Sequence, residues 1–502
     1  MYGDLTWTSP VAISTALTNA SDPHVVLDAN NNATAIWVEN NVIKSSSLPS
    51  GGSWTVPITL SNPLNTSASP KIAVDGSGNV TALWIESNQI ESSILPFGGS
   101  WSAETSPISS SGATNPVLAV NSSGTAVAIW SLGPSIQSST RISGTWNPPF
   151  TLAASNASNP HIAISDFGTA IAAWHAVSSG SDIIITNILT LSINTWGTSK
   201  NVFPATASFQ HNYPQVALDS NGNATVAWFR YNLVNGNAYQ NVQVLTSILT
   251  QGATNWAIGV ALSNPGIRNP ADLTIKLKYD GSGNTLLVWT NSYDGEIFSI
   301  ESSQRLFGIT LIPSFYSFGI DTSIASGTGL LTNMSWDGVS ELFIQAQQTD
   351  TTEPFAKFWT PGKVISTGNE NGYPSCSMSV TGSTLNAVAV WINFDGSNLI
   401  INAAIGSDSV INPPSSVSAT QSTINLGVYN DYANTITWSA STEPNLILYN
   451  IYRNGVYFAS ASPSTLSFVD HNQALGGTVT YGVAALNSEF RQSQIITYTI
   501  FP

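Results

Sequence analysis

The sequence predicts an all-β fold built from a tandem repeat. Fourteen of its 16 tryptophans form seven pairs, and the two members of each pair are 28 to 33 residues apart. Around each pair the same text recurs: Trp-x-x-Pro, a polar stretch that ends in Pro, Ile-Ala-Val-Asp, a Gly/Asn turn and an apolar run that ends in Ala-x-Trp. Short apolar runs bounded by turn residues indicate strands. The pairs are Trp7/Trp37, Trp54/Trp84, Trp101/Trp130, Trp146/Trp174, Trp196/Trp228, Trp256/Trp289 and Trp359/Trp391.

Each copy of the repeat predicts four strands. In the second copy we expect them at Trp54–Leu60, Pro70–Asp75, Val80–Trp84 and Ile90–Leu95. The Gly and Asn residues of Asp75–Asn79 tolerate the positive φ of a tight hairpin, so this segment is read as a turn. A four-stranded unit of about 45 to 60 residues resembles one blade of a β-propeller.

The register of the copies predicts how such a ring closes. The chain begins with a lone strand at Trp7–Pro10, and the last copy ends after a strand near Asn398–Ile405. The first strand is therefore expected to complete the last blade, which removes an open sheet edge. Only one Trp pair follows Trp289, and about Gly327–Lys357 reads as a degenerate blade. We count eight blades, and seven blades with a long insertion is the alternative.

A change of composition at Asn412–Ser416 marks a linker, and we divide the chain into residues 1–410 and residues 411–502. The second part resembles a fibronectin type III module over its whole length, which implies a β-sandwich and a corner tyrosine at Tyr481. No Arg-Gly-Asp is present, so the resemblance implies no ligand. The matching segments are the second, third and sixth strands, Ile436–Trp438, Tyr449–Gly455 and Tyr481–Asn487.

The composition narrows the function classes. Charged residues make up only 8% of the chain and its net charge is −15, so Ser, Thr and Asn must cover the surface. With a pI near 4.5, no basic patch is expected for nucleic acid or an anionic membrane, and no apolar run is long enough to span one. The single cysteine, Cys376, is expected to be a small buried residue. We expect an exported monomer, secreted or at the cell surface, whose export signal is not in this chain.

Connecting loops are where binding sites concentrate. The residues that depart from the repeat are therefore expected to form a site on the face of the ring that carries these loops. Four of the five histidines fall in or beside such loops, and the loops after Trp228 and Trp289 are longer than in the other copies. The candidate ligand-binding residues are His24, His161, His175, His211, Tyr213, Phe229, Arg230, Tyr231, Arg268, Tyr293, Asp294 and Glu296.

These residue types favour recognition of a sugar. Apolar pyranose faces stack on aromatic rings, and sugar hydroxyls need paired donors and acceptors. No catalytic motif converges on the face, so we expect a non-catalytic extracellular binding or adhesion protein that recognises a glycan or a cell-surface protein. A protein-interaction scaffold is an alternative, since the same aromatic residues and arginines could anchor a protein partner.

A polysaccharide lyase is the enzyme alternative. Such an enzyme needs a His or Tyr base and a cation that neutralises the uronate carboxylate. A sialidase is disfavoured, because the chain has only six arginines and its turns match the sialidase turn motif loosely. The residues that could serve a lyase are His161, His175, His211, Tyr213, Tyr231, Arg230 and Arg268.

No cofactor is expected. The Asp-x-Ser-x-Asn turns lack the dense carboxylates of a calcium loop, so they are read as plain hairpin turns. A zinc ion would require that the ring bring His161, His175 and His211 within ligand distance of one another.

Overall fold

A computed structural model gives the fold of the chain. Its described part contains β-strands, one 3₁₀ turn at Leu191–Ile193 and no α-helix, so the prediction of an all-β fold is confirmed there. The structure describes residues 6–103, 107–142, 144–202, 209–219, 222–234, 238–263, 265–266, 274–279, 285–292, 298–304, 310–311, 320–325, 330–336, 341–348, 363–367, 372–381, 384–407, 412–425, 427, 430–487, 492–493 and 495–501.

The chain forms two compact units. The larger holds Trp7–Gly382 and Asn386–Ser407, and the smaller consists mainly of Asp408–Pro502. The larger unit opens with two short strands, β1 (Thr6–Trp7) and β2 (Val11–Ala12).

Sheets 1 to 4 of the larger unit follow one another along the chain. Sheet 1 contains β3 (Ala20–Leu27), β4 (Ala33–Glu39), β5 (Val42–Leu48) and β6 (Ile58–Thr59). Sheet 2 contains β7 (Ser67–Val74), β8 (Val80–Glu86), β9 (Gln89–Leu95) and β10 (Ser102–Ala103). Sheet 3 contains β11 (Ala113–Val120), β12 (Ala126–Leu132), β13 (Ser135–Ile142), β14 (Thr145–Trp146) and β15 (Phe150–Ala153). Sheet 4 contains β16 (Ala157–Ile164), β17 (Thr169–Ser178), β18 (Ser181–Thr190), β19 (Thr195–Trp196) and β20 (Lys200–Asn201).

Sheets 5 to 8 complete the larger unit. Sheet 5 contains β21 (Gln210–Leu218), β22 (Ala224–Val234), β23 (Ala238–Leu249) and β24 (Val260–Ala261). Sheet 6 contains β25 (Ile275–Tyr279), β26 (Thr285–Ser292), β27 (Phe298–Gln304) and β28 (Thr310–Leu311). Sheet 7 contains β29 (Ile320–Ala325), β30 (Leu330–Trp336), β31 (Glu341–Gln348) and β32 (Lys363–Thr367). Sheet 8 contains β33 (Gly372–Thr381), β34 (Thr384–Phe394) and β35 (Leu399–Ser407).

Both ends of the larger unit meet in sheet 8. Its strands run β33-β34-β35-β1, and β2 also pairs with β35. Val11 pairs antiparallel with Ala403, and the backbone N–H of Thr8 donates to the carbonyl of Ile405 at 2.9 Å. The N-terminal strands therefore cover the edge that β35 would otherwise expose.

The first strands of consecutive sheets pack against one another. Contacts run from β3 to β7, β11, β16, β21, β25, β29 and β33 in turn, and β33 also contacts β3. Ser377 Oγ accepts the backbone N–H of Leu27 at 2.9 Å across that last junction. The series of contacts thus returns to the sheet where it began. The segment read as a degenerate blade contributes β30 and β31 to sheet 7, and its residues 337–340 and 349–357 lie outside the described residues.

The second tryptophan of each pair fills the core. It lies on the second strand of its sheet and is at most 2% exposed in Trp37, Trp84, Trp130, Trp174, Trp228, Trp289 and Trp391. Trp37 packs with residues of sheets 1 and 8, and its Nε1–H donates to Glu39 Oε2 at 3.0 Å. Glu39 is 2% exposed and also accepts the backbone N–H of Thr15 at 3.0 Å. These two donors satisfy the carboxylate, which allows Glu39 to be buried in the core.

A bulge recurs in the first strands, at the residue that precedes a proline. This residue has a φ between 47° and 55°, a left-handed conformation that is costly for residues other than Gly. A register shift accompanies it in sheets 1 to 5, and bulges re-aim the side chains next to them. The bulge residues are Asp22, Ser69, Asn115, Asn159, Tyr213 and Tyr373, and the residues just beyond the proline include His24, Lys71 and His161.

The Gly/Asn turns are held by their own aspartate. Asp75 Oδ1 accepts the backbone N–H groups of Ser77 and Asn79, and Asp75 Oδ2 accepts Asn79 Nδ2, all at 2.8 to 2.9 Å. Asp28 and Asp219 make the corresponding bonds in sheets 1 and 5. These carboxylates stabilise the hairpin turn.

The smaller unit is a two-sheet arrangement. Its strands are β36 (Val417–Asn425), β37 (Asn430–Trp438), β38 (Leu446–Arg453), β39 (Val456–Ala461), β40 (Ser467–Asp470), β41 (Val479–Asn487) and β42 (Ile496–Ile500). One sheet has the order β36-β37-β40 and the other β39-β38-β41-β42. The buried Tyr481 hydroxyl donates to Asp470 Oδ2 at 2.6 Å and accepts Asn434 Nδ2 at 3.0 Å. Burial and this aspartate raise the pKa of Tyr481 to about 12.

One expectation about a single residue is met. Cys376 is buried, as predicted, and packs against Trp391 and Ile365. Among the described residues, no helix is long and apolar enough to cross a membrane.

We expect the buried Trp37–Glu39 hydrogen bond to stabilise the fold in addition to the packing of the indole ring. Trp37→Phe should lower the free energy of unfolding by about 1 to 3 kcal/mol more than Trp130→Phe, because it leaves the buried Glu39 carboxylate with one donor fewer. Trp130 is the matched control, since it is equally buried and its Nε1 has no partner among the described residues. Urea unfolding followed by circular dichroism measures both changes, and equal losses would contradict the assignment.

Candidate functional site

Sheets 4 and 5 depart from the repeat. Strands β17 and β18 have 10 residues each, and β22 and β23 have 11 and 12, whereas β4, β5, β8 and β9 have seven. Beyond the core tryptophan, β17 continues two residues and β22 four residues further than β4 and β8, which at about 3.3 Å per residue is roughly 7 Å and roughly 13 Å. Binding sites concentrate in such irregular extensions of a regular scaffold, so the hairpins of sheets 4 and 5 are the candidate region.

Six polar side chains lie together on these hairpins and the adjoining first strands. Ser158 is paired with His175 across β16 and β17. The charges of His175, Asp182 and Arg230 all act on the imidazole of His211, and that of Asp182 also acts on Tyr231. We call this group the polar cluster: Ser158, His175, Asp182, His211, Arg230 and Tyr231.

A chain of hydrogen bonds connects three members of the polar cluster. His175 Nε2 lies 2.5 Å from Asp182 Oδ1, and His175 Nδ1 lies 2.9 Å from Ser158 Oγ. An ionised carboxylate only accepts, so Nε2 carries the proton and Nδ1 keeps its lone pair towards the serine hydroxyl. His175 is only 9% exposed. The arrangement is that of an oriented base next to a hydroxyl group.

His211 plays a different part. Its Nδ1 accepts the Nε1–H of Trp228 at 2.8 Å, and the side chain is 1% exposed. Burial and the charge of Arg230 lower its pKa to about 4. Near neutral pH the ring is therefore uncharged, with its proton on Nε2 and its lone pair used by Trp228. This geometry differs from the expectation of His211 as a lyase base, because the ring donates rather than accepts at its remaining nitrogen.

Arg230 supplies a positive charge to the cluster. Its Nη2 donates to Gln243 Oε1 at 2.5 Å, and its guanidinium lies 4.6 Å from the centre of the Phe209 ring. Burial lowers the pKa of Arg230 below its ordinary value, but a guanidinium remains charged at physiological pH. Within the described residues, no carboxylate lies at ion-pair distance from it.

Tyr231 lies two residues beyond Phe229 on β22 and packs in the same cluster between sheets 5 and 6, against which Tyr213 and Tyr239 also pack. Tyr231 is 6% exposed, is hydrogen-bonded to Asn212, and has its pKa raised to about 12 by burial. Its ring centre lies 5.2 Å from that of Tyr239. Asn212 Oδ1 also accepts Asn159 Nδ2 at 2.8 Å, which connects sheets 4 and 5. At neutral pH the phenol of Tyr231 is protonated and can donate a proton.

His24 and His161 lie on the first strands β3 and β16 and are not part of the polar cluster. His161 Nδ1 accepts the backbone N–H of Val216 at 3.2 Å. Burial, together with the charges of Lys278 and Lys276, lowers the pKa of His161 to about 3. The zinc arrangement of three histidines is not found, because no group of three metal-ligating side chains occurs among the described residues.

The remaining candidates fall elsewhere. Phe229 was expected on a binding face, but it is 1% exposed and packs in the core between sheets 5 and 6, because strand alternation turns it inward. Tyr213 is half-buried at the bulge of β21. The candidates that lie outside the described residues are Arg268, Tyr293, Asp294 and Glu296.

Sequence reasoning missed Ser158 and Asp182. Both residue types are frequent in strands and turns of this chain, so neither stands out alone. One signal was available: the position after the core tryptophan is apolar in three copies, as Val38, Ile85 and Ile392, and is His175 in sheet 4. A polar residue at an apolar position of a repeat requires polar partners nearby.

Comparison with known proteins adds likenesses of fold only. No protein-family model matches the chain, and no curated protein matches it. Among solved structures, it is similar to an ulvan lyase of polysaccharide lyase family PL25, with 10% identity over 66% of this chain and 92% of that chain and a TM-score of 0.43. It is also similar to polysaccharide lyase Uly1, with 10% identity, coverage of 76% and 89% and a TM-score of 0.41. A third is an α-L-arabinofuranosidase of Fusarium graminearum in complex with arabinobiose, with 10% identity, coverage of 80% and 98% and a TM-score of 0.39.

These comparisons go against the expectation of a non-catalytic binding protein. The three solved structures are named as two lyases and a glycosidase, and the expectation of a non-catalytic protein is withdrawn. At such low identities and TM-scores the likeness carries no argument about a residue or a reaction. The case for a reaction therefore rests on the side chains of the polar cluster.

We expect His211 to contribute to loss of stability in acid. The unfolded chain binds a proton at His211 below about pH 6.5, whereas the folded chain resists this until about pH 4. The stability that depends on the neutral ring is therefore complete above pH 6.5 and is lost as the pH falls towards 4, by ~3 kcal/mol in total. His211→Gln should remove this part of the pH dependence, since an amide does not titrate and its oxygen can accept the Trp228 N–H.

The measurement is the free energy of unfolding of the two proteins at several pH values between 7 and about 4. Equal pH dependence in the two proteins would show that His211 is not protected from protonation.

Proposed function

We propose that the chain is a glycan-active enzyme and that it cleaves a uronate-containing polysaccharide by elimination at the polar cluster. The observation that supports this most directly is the hydrogen-bond chain of Ser158, His175 and Asp182, together with Arg230, whose charge acts on the same His211 imidazole as the charges of His175 and Asp182. Elimination from a uronate requires an oriented base and a cation for the carboxylate, and Arg230 has no carboxylate at ion-pair distance among the described residues.

The chemistry assigns a step to each group. Arg230 pairs with the uronate carboxylate, which makes the proton on the adjacent ring carbon, C5, more acidic. His175 Nδ1 removes that proton after substrate has displaced the Ser158 hydroxyl, and Asp182 stabilises the imidazolium that forms. The C5–H electron pair forms the C4–C5 double bond, and the C4–O bond breaks. The leaving oxygen takes a proton, for which the protonated phenol of Tyr231 is the proposed donor.

A second candidate reaction uses the same hydrogen bonds. If the Ser158 hydroxyl stays in place, His175 removes its proton and Ser158 attacks an ester carbonyl, such as an acetyl group on a polysaccharide. Two observations favour keeping this candidate: the 2.9 Å Ser158–His175 contact and the carboxylate on the far side of the imidazole. The product separates the two reactions, since an ester hydrolase releases a free acid and leaves the polymer backbone whole.

The architecture that carries the site is also part of the proposal. The eight sheets and the return of first-strand contacts from β33 to β3 support an eight-bladed propeller closed by β1 and β2. The seven strands of the smaller unit and its buried Tyr481 support a fibronectin type III-like module at residues 411–502. The uncharged polar composition supports an exported, secreted or cell-surface monomer that takes a glycan as its partner.

The polar cluster should be required for cleavage of uronate polymers. We expect the protein to form unsaturated, ultraviolet-absorbing ends from at least one polymer in a panel of polygalacturonate, alginate and glucuronate-containing glycans. His175→Ala and Arg230→Ala should each lower kcat/KM by about 100-fold or more, because one removes the base and the other the charge on the carboxylate. His471→Ala is the matched control, since His471 makes a 2.5 Å contact with Asp431 in the smaller unit and should leave the rate unchanged.

Three results decide between the readings. Unsaturated ends that survive in His175→Ala would exclude His175 as the base. Release of acid from an acetylated polysaccharide that is lost in Ser158→Ala would replace the lyase by the esterase. Neither product from any polymer would contradict the proposed function.

A further inference from the structure

A cavity of about 500 Å³ lies between sheets 1 and 2. This volume is within the range of small-molecule sites in proteins. Sheet 1 contributes Thr34 of β4 and Ser45 of β5 to the wall, and sheet 2 contributes Leu95 of β9 and the loop residues Phe97 and Trp101. We call it the junction cavity. It is separate from the polar cluster, whose residues belong to sheets 4 and 5.

At two other junctions, a tryptophan of one sheet donates to a hydroxyl group of the sheet before it. Trp146 Nε1 of sheet 3 donates to Ser92 Oγ of sheet 2 at 3.1 Å, and Trp256 Nε1 of sheet 5 donates to Thr186 Oγ1 of sheet 4 at 2.9 Å. Ser45 is the equivalent of Ser92 and Thr186, because each of the three pairs with the residue that precedes a core tryptophan. The repeat therefore turns the Ser45 side chain towards sheet 2.

The hydroxyl group at the junction cavity lacks such a donor. Ser45 is 1% exposed, and its Oγ has no hydrogen-bond partner among the described residues. Trp101 occupies the place in sheet 2 that Trp146 occupies in sheet 3, and it packs against the core cluster that contains Ile36 and Trp84. A buried hydroxyl group without a partner is costly, and a ligand in the cavity can supply the partner.

An arginine crosses the equivalent space between sheets 2 and 3. Arg141 Nη2 donates to Thr81 Oγ1 at 2.7 Å, and its guanidinium lies 5.6 Å from the centre of the Trp146 ring. The position of Arg141 is Leu95 in sheet 2, and the position of Thr81 is Thr34 in sheet 1. Because leucine is shorter than arginine and has no donor, the space between sheets 1 and 2 stays open.

Phe97 forms an aromatic wall of the junction cavity and is 55% exposed. Its backbone N–H donates to Asn79 Oδ1 at 3.0 Å. Its ring lies against Gly78, where an added Cβ would come within 2.7 Å of Phe97 Cδ2. These contacts hold the ring in place before a ligand binds, which lowers the entropic cost of binding.

The wall offers a ligand no free charge. Among the described residues that line the cavity, Asp28 is the one ionisable group. Its carboxylate accepts the backbone N–H groups of Asn30 and Asn32 and the side-chain amide of Asn32. The groups left for a ligand are therefore an aromatic ring, apolar side chains and hydroxyl groups.

A smaller cavity of about 330 Å³ lies between sheets 3 and 4 and is lined by Ser138 and Phe150. Ser138 is the equivalent of Ser45, and its Oγ likewise has no partner among the described residues. Here, however, Thr140 Oγ1 donates to Asn194 Oδ1 at 2.9 Å across the junction. Because this bond already pairs polar groups of the two sheets, the larger cavity is the better candidate and the smaller one provides a control.

We infer that the junction cavity binds a neutral sugar residue of a glycan. The exposed ring of Phe97 suits the apolar face of a pyranose. The hydroxyl groups of Ser45 and Thr34 can each donate to and accept from sugar hydroxyls. Such a site would hold a glycan chain without cleaving it. The inference does not rest on the proposed reaction, because the residues of the cavity and those of the polar cluster lie on different sheets.

The test is saturation-transfer difference NMR on the full chain. The probes are the methyl glycosides of glucose, galactose, mannose, xylose, rhamnose and fucose, with cyclohexanol as a non-sugar ring of the same size. We expect at least one glycoside to bind. Phe97→Ala and Leu95→Arg should each weaken its binding by about 10-fold or more, because the first removes the stacking ring and the second fills the cavity.

Phe150→Ala is the matched control, since Phe150 is 52% exposed and lines the smaller cavity. Weaker binding in Phe97→Ala and Leu95→Arg, with Phe150→Ala unchanged, supports the inference. It is overturned if no glycoside binds, if cyclohexanol binds as tightly as the glycosides, or if Phe150→Ala weakens binding as much as Phe97→Ala.

Two further points keep the result interpretable. Should Leu95→Arg fail to fold, Phe97→Ala decides alone, because an exposed side chain contributes little to folding. His175→Ala separates this inference from the proposed enzyme, since it should abolish cleavage while glycoside binding stays within about twofold of the unchanged protein. Glycoside binding without cleavage of any polymer would support the site and contradict the proposed function.

Discussion

The bulge at the proline of most first strands is the constraint on which the larger unit depends. It holds a residue other than Gly in a left-handed conformation in at least six places, at Asp22, Ser69, Asn115, Asn159, Tyr213 and Tyr373. Such a conformation costs of order 1 to 3 kcal/mol and persists only where the surroundings fix it. Here strand pairing on one side and the next first strand on the other fix it. The same distortion sets the direction of the side chains beyond the proline. The bulge therefore affects both the packing of the first strands and the placement of the polar side chains that follow it.

The polar cluster arises where the repeat changes a few residues without changing the scaffold. In sheets 1 and 2 the core tryptophan donates to Glu39 or Glu86, whereas in sheet 5 Trp228 donates to His211. That exchange places a neutral imidazole and the nearby Arg230 where the regular copies hold a carboxylate. A binding or reacting site can thus be built on one side of a symmetric scaffold by substitution at equivalent positions.

Much of the architecture could be predicted from the sequence, because each weak indication of a strand or turn recurs in several copies of the repeat. Tryptophans at fixed spacing and Asp/Asn turns predicted strands and hairpins, and the second tryptophan of each pair is buried as core packing requires. The candidate site followed only in part. His175, Arg230 and Tyr231 stood out as departures from the repeat, but Ser158 and Asp182 become partners of His175 only through cross-strand register and hairpin length.

The pairing of the two chain ends in sheet 8 has a consequence for biosynthesis. The Ser14 hydroxyl accepts the backbone N–H of Ile401, 387 residues away, so this contact cannot form until nearly the whole larger unit has left the ribosome. Closing so long a loop is entropically costly and slow relative to the local hairpins. Until this contact forms, the edge of β35 is uncovered and the early sheets lack their last neighbour. We therefore expect nascent chains to need protection from edge-to-edge association, and expression at low temperature to raise the yield of soluble protein.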